Sequence, residues 1–208
     1  MIYDWSLRLE KKALIIFAKN PILGRVKTRI ASDLGDAKAL EIYSQLLKSV
    51  HLYSEMVPFL KLVYWDGGIP AKHPFIGNAY KHKLQLEGDL GEKMSSAFEE
   101  ELKSYSSLCI IGTDCLELTT EIIKNAFEVL ESQEAVIGPA VDGGYYLLGM
   151  NQNFPFLFQE MKWSSSSVFN DTIRKFEDHH LKYKILPLLN DVDTFEDYQL
   201  MLLKGYIS

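Results

Sequence analysis

Cysteine is scarce in this chain: two in 208 residues, Cys109 and Cys115. Two thiols are too few for a disulfide scaffold, and their spacing is not that of a zinc site. Both fall in or beside an expected buried strand, which points to free thiols in a reducing, cytoplasmic setting. Long apolar runs are missing too, so nothing in the sequence suits a bilayer span. The opening MIYDWSLRLEKK lacks the continuous apolar centre of a signal peptide. Residues 1–12 read instead as a polar lead-in to a single domain over 13–208. There is no Walker phosphate loop and no GxGxxG, which removes P-loop kinases and the usual dinucleotide enzymes. Ser164 to Ser167 carry no nucleophile-elbow signature. A broad excess of positive charge is also absent. The net charge is −6, which argues against nucleic acid as a partner. No internal repeat, low-complexity tract or linker interrupts the chain.

What is present is an ordinary globular composition, 47% hydrophobic and 24% charged, long enough to bury a sizeable core. Apolar runs at Leu14–Ala18, Phe59–Trp65, Lys83–Glu87, Leu108–Ile111, Ala135–Ile137, Tyr145–Met150 and Tyr183–Leu186 read as short strands. Helical spacing marks segments beginning near Val26, Asp36, Leu90, Thr120, Val168 and Asp193 or Thr194. Strands alternating with helices imply βαβ units and a mostly parallel sheet. The short turn at Gly143-Gly144 allows an antiparallel excursion.

Positive charge is concentrated in one place. The stretch LIIFAKNPILGRVKTR runs from a buried strand into a turn marked by Asn20, Pro21 and Gly24. Lys19, Arg25, Lys27 and Arg29 follow without an intervening acid; four cations on a chain of net −6 leave −10 elsewhere. A compact basic loop at the C-terminal end of a first strand suits an anionic ligand, phosphate above all. The alternative is a solvated surface loop.

Several acids could complement it. Asp114 projects from the end of the Leu108–Ile111 strand, where a carboxylate can hold a divalent ion that bridges phosphate oxygens; a turn-capping role is the alternative. Asp142 precedes Gly143 and Gly144, which fits either close approach to a ligand or a tight turn. Asp191 and Asp193 flank Val192 before the last helix, where spacing favours a capping box of Asp193 with Glu196. Glu87, Asp89 and Glu92 surround a GDLG turn of the kind that caps a helix. His179 and His180 lack partners at ligand spacing.

Taken together, IIFAKNPILGRVKTRIA, LEGDLGEKM, IGTDCLELT, IGPAVDGGYYLLGM, WSSSSVF and LPLLNDVDTFED resemble bacterial glycosyltransferase-like proteins, some of them linked to arsenosugar biosynthesis. The match runs from about Ala13 to Leu203. More distantly the chain is similar to guanylyltransferases that act on phospholactate or the molybdenum cofactor. The resemblance implies the type A nucleotide-diphospho-sugar transferase fold: a three-layer α/β/α arrangement with a mainly parallel sheet of about seven strands, one of them antiparallel. It implies a metal-dependent transferase using Mg²⁺ or Mn²⁺ and a nucleotide-activated donor. A glycosyltransferase acting from a nucleotide sugar on a small-molecule acceptor comes first. A nucleotidyltransferase using a nucleoside triphosphate is the alternative, and a non-catalytic nucleotide-binding protein the second alternative.

On that reading Lys19, Asn20, Gly24, Arg25 and Lys27 hold donor phosphates, with Lys27 also catalytic. Asp114 and Asp193, with Asp142, hold the metal, and Asp114 and Asp142 act in catalysis. Asp89, Gly143, Gly144, Tyr145 and Trp163 form the acceptor side, Trp163 as a stacking wall or else as core packing. The family has Pro where Leu116 and Ser166 stand here, so loop shape is expected to differ at those two positions.

Overall fold

The computed structural model describes residues 11–206. Of the expected lead-in at residues 1–12, residues 1–10 lie outside them, and Lys12 already begins the first strand. In chain order the elements are β1 (Lys12–Lys19), α1 (Thr28–Leu34), α2 (Asp36–Glu55), β2 (Leu60–Asp66), β3 (Tyr80–Leu84), α3 (Leu90–Glu101), β4 (Ser107–Ile111), α4 (Thr120–Val129), β5 (Ala135–Pro139), β6 (Tyr145–Met150), α5 (Val168–Asp178), β7 (Tyr183–Ile185) and α6 (Phe195–Leu203). One seven-stranded sheet has the order β3-β2-β1-β4-β6-β5-β7. β6 runs antiparallel to both β4 and β5, and the other pairings are parallel. This is the nucleotide-diphospho-sugar transferase-like α/β fold.

The apolar runs are continuous because both sheet faces are covered. Along β1, Leu14, Ile16 and Ala18 pack into one core with Ile42, Leu46 and Val50 of α2 and Ile123 and Phe127 of α4. Ala13 and Ile15 point the other way, into a second core with Met94 and Phe98 of α3 and Phe176 of α5. The period-2 alternation of a strand therefore feeds two helical layers at once. Both cysteines are buried and free, and burial raises both thiol pKa values.

Boundaries differ in instructive places. β3 lies at Tyr80–Leu84 and not at residues 83–87. It is an edge strand, pairing Lys61–Trp65 of β2 with Tyr80–Leu84, and Tyr80 is its one buried side chain. Half-exposed edges carry a weak apolar signal. Gln85, just past it, turns its amide to the carbonyls of Tyr64 (2.9 Å) and Ala18 (3.4 Å). A buried residue from the next strand sits at the end of α2: the Lys61 ammonium donates to the Val57 carbonyl just past the helix at 2.6 Å and reaches the Glu55 carbonyl, the last of α2, at 3.5 Å. A cation there also complements the helix dipole.

β6 carries Gly149 as its penultimate residue because a side chain does not fit. A Cβ there would stand 2.6 Å from Val136 Cγ1 and 2.7 Å from Cys109 Sγ, on the two flanking strands. Gly149→Ala should destabilise the fold by about 1–3 kcal/mol, the usual cost of overpacking. A lowered urea midpoint at unchanged slope checks this, and an unchanged midpoint contradicts it.

Candidate active site at the C-terminal rim of the sheet

In a mostly parallel sheet the strand C-termini share one rim, and ligands bind there where the strand order reverses. Here β1 lies between β2 and β4, and the loops after β1 and β4 open side by side. Asn20 ties the first loop to the β2 end. Its backbone N–H donates to the Asp66 carbonyl at 2.8 Å and its side-chain amide to the Gly67 carbonyl at 3.0 Å. Gly24, at φ 75°, turns the chain where Arg25 N–H donates to the Ile22 carbonyl at 3.0 Å. Lys19, Arg25 and Arg29 are exposed, and none of them forms an ion pair among the described residues. Beneath the loop, the buried Tyr43 hydroxyl accepts the Lys19 N–H at 2.7 Å and lies 3.1 Å from the Lys19 carbonyl and 3.5 Å from Thr113 Oγ1. Burial pushes its pKa up to about 12. Tyr43 thus links the β1 loop to the loop carrying Asp114.

Lys27 does not face solvent with the other cations. It precedes α1 in a left-handed conformation, φ 47° and ψ 47°, which is uncommon outside glycine. Its ammonium reaches Asp114 Oδ1 at 2.6 Å and Asp193 Oδ1 at 2.8 Å, with 7% of the side chain exposed. Burial alone would lower the lysine pKa, but the two carboxylates overcome it and raise the value. Asp193 moves in the opposite sense: burial would raise it, and Lys27 holds it down. Asp193 arrives because Val192 N–H donates to the Asp114 carbonyl at 2.9 Å.

The expected Asp193–Glu196 cap is not formed. Thr194 caps α6 in a reciprocal box with Asp197, which leaves Asp193 for Lys27. The hydroxyl of Thr194 can take the cap, so the box shifts by one residue.

Asp142 is exposed beside this group, and its Oδ1 accepts the Gly144 N–H at 2.8 Å. The tight-turn reading of the DGG stretch therefore applies, and the turn presents an acid to solvent. Asp191 is the residue to which sequence reasoning gave no role. Burial and then Asp114, Asp142 and Asp193 raise its pKa to about 8, so four carboxylates share this corner. The signal was the Asp-Val-Asp alternation. With Val192 fully buried, residues i and i+2 of a strand-like stretch face the same way.

The expected acceptor-side residues are not all brought to the acids. Gly143 packs its Cα directly against the Ser166 backbone, where a Cβ would collide. Its carbonyl accepts the Phe169 N–H at 2.9 Å, so the DGG turn is fastened to the Ser164–Ser167 loop. Tyr145 turns its hydroxyl to Met94 Sδ at 3.7 Å, into the α3 side of the core. Trp163 lies over Gly91, which has no room for a Cβ, with its ring 6.3 Å from that of Phe158. This is the packing alternative for Trp163. Asp89 is the N-cap of α3, accepting the Glu92 N–H at 2.9 Å while Glu92 Oε2 accepts the Asp89 N–H at 2.9 Å.

The donors around Lys27 are all oxygen and suit a hard divalent cation. Such an ion takes one or two carboxylates, with phosphate and water completing the shell. Asp114 Oδ1 and Asp193 Oδ1 converge on one point, now filled by an ammonium. No group of three or more acids, histidines or cysteines forms a metal cage among the described residues. The residues fit a metal shared with a phosphorylated ligand and not a closed protein site.

A family profile described as an uncharacterized protein conserved in bacteria (DUF2064) matches residues 60–165. A solved protein from Desulfovibrio desulfuricans G20, named provisionally as a nucleotide-diphospho-sugar transferase, is 27% identical. It aligns over 95% of this chain and 88% of its own, with a TM-score of 0.87. Rv0371c of Mycobacterium tuberculosis H37Rv, solved in complex with manganese, aligns over 93% of this chain and 99% of its own at 10% identity and a TM-score of 0.59. The 4-diphosphocytidyl-2C-methyl-D-erythritol synthase of Anaerococcus prevotii DSM 20548 aligns over 95% and 97% at 11% identity and a TM-score of 0.60. The last two share the fold. No curated protein matches the chain by sequence.

Asp191 gives a pH dependence with a definite sign. A carboxyl raised from 3.8 to about 8 on folding contributes stability below the unfolded value, and this is lost as pH rises through the folded one. With a chelator present, Asp191→Asn should raise the melting temperature little near about pH 4 and progressively more towards about pH 8. A gain independent of pH contradicts this.

Proposed function

This chain belongs to the DUF2064 family of bacterial proteins, and on that premise we propose that it is a nucleotide-using transferase. Its donor is a nucleotide sugar and its acceptor a small molecule. One observation carries the reading: the loop after β1, with exposed Lys19, Arg25 and Arg29, meets Asp114 and Asp193 at one rim of the sheet. An anion-binding loop beside a carboxylate pair is the arrangement that a diphosphate leaving group requires.

In this reading Lys19, Asn20, Gly24 and Arg25 bind the donor phosphates, and Lys27 supplies positive charge at the same point. Asp114 and Asp193 hold Mg²⁺ or Mn²⁺, with Asp142 at the edge of the site. The metal, when bound, neutralises charge on the diphosphate. Gly144, beside Asp142, brings backbone close to the acceptor, with Gly143 held against Ser166 behind it.

A nucleotidyltransferase would use the same loop and acids. The name of the Desulfovibrio desulfuricans relative favours the nucleotide-sugar reading, as does the single glycine of the β1 loop. Products separate the two: a nucleoside diphosphate from a nucleotide sugar supports the first, and pyrophosphate from a nucleoside triphosphate the second.

Calorimetric titration with a panel of nucleoside diphosphates and nucleotide sugars, with and without Mn²⁺, tests the site. Arg25→Ala should weaken binding about tenfold, with Mn²⁺ present or absent, as the loss of one charge-assisted contact does. Asp114→Ala should abolish the Mn²⁺-dependent part of the affinity. Unchanged affinity in Asp114→Ala overturns the metal assignment.

A further inference from the structure

Lys27 is built to occupy the point where its two acids meet. Its backbone is held in a left-handed conformation ahead of α1. Its side chain is almost fully enclosed, and one ammonium is shared by Asp114 Oδ1 at 2.6 Å and Asp193 Oδ1 at 2.8 Å. The three residues come from three separate loops, and the Lys27–Asp193 contact spans 166 positions. Without a cation between them, two half-buried carboxylates would repel each other and lose solvation.

Two cations cannot stand between the same two oxygens. We propose that Lys27 is a resident counter-ion that guards the metal position, so that a divalent cation binds well only when Lys27 is drawn away onto a donor diphosphate. The inference rests on the transferase reading for the identity of that anion. It adds a rule of occupancy to it. In the empty protein Lys27 neutralises Asp114 and Asp193. When a diphosphate lies along the β1 loop, Lys27 is attracted to it, and the vacated oxygens accept the metal. Metal and diphosphate therefore bind with positive coupling, and part of that coupling passes through one lysine. By linkage each ligand tightens the other by the same factor.

This predicts an effect opposite to that expected of a lysine that merely adds a phosphate contact. In calorimetry with MnCl₂ alone, Lys27→Met should bind Mn²⁺ about tenfold more tightly than the wild type or better. Adding UDP should tighten Mn²⁺ strongly in the wild type and much less in Lys27→Met. Thermal unfolding guards against a variant that folds poorly: Lys27→Met should melt lower than wild type in chelator and recover more on addition of Mn²⁺ than wild type gains. Lys27→Gln should show the same pattern.

Equal or weaker Mn²⁺ binding by Lys27→Met, with binding still abolished by Asp114→Asn, overturns the guarding role and leaves the metal site standing. Loss of melting temperature in both lysine variants with no extra recovery by Mn²⁺ also overturns it, since that is the mark of a purely structural ion pair. Mn²⁺ binding indifferent to both Asp114→Asn and Lys27→Met overturns this inference together with the metal part of the transferase reading. Binding of UDP without Mn²⁺, in that case, would still support the nucleotide site.

Discussion

One ammonium shared by two carboxylates holds the rim of this sheet together. Lys27 comes from the segment ahead of α1, Asp114 from the loop after β4 and Asp193 from the approach to α6. Each is a poor thing to bury alone. Burial depresses the basicity of a lysine and of a carboxylate raises it, yet here Lys27 is driven up and Asp193 down. Mutual attraction outweighs desolvation. The neighbouring hydrogen bonds serve the same geometry: Tyr43 fixes the β1 loop to Thr113, and Val192 fixes the last segment to Asp114. Such a triad contributes little net stability compared with an apolar substitute, because the cost of removing three charges from water is high. Its retention at the rim fits a role in holding a charge that comes and goes.

The fold around this triad was legible in the sequence because the strands are buried on both faces. Runs such as Leu14–Ala18 and Leu108–Ile111 carry no polar residue and have only one sensible structure. β3 was misplaced by three residues because a one-sided edge strand has one buried residue to announce it. The antiparallel β6 was foreseeable from the short Gly143-Gly144 turn.

The site was legible in its parts and less so in its pairing. Asp114 and the β1 loop each stood at the end of a strand, and local chemistry sufficed. Asp193 looked like a helix cap, since nothing nearby in sequence tells Asp193 from Thr194 as the capping residue. The lysine that claims it lies 166 residues earlier. Asp191 was seen but given no role for the same reason: its raised pKa comes from burial and then from acids, two of them on other loops. Trp163 and Asp89 show how residues beside a plausible site can also serve the fold, here by packing against Gly91 and by capping α3.

The position of β6 carries a consequence for how the chain assembles. β4 and β5 are not neighbours; β6, later in sequence than both, lies between them. The half-sheet β3-β2-β1-β4 can be completed from the first 111 residues, whereas β5 has no place in it until β6 has been inserted. On a ribosome, which delivers domains from the N-terminus onwards, the exposed flank of β4 waits for about forty further residues to emerge. The same late strand leads out of the DGG turn, so its insertion also sets Asp142 at the rim, while β7 and Asp193 follow later.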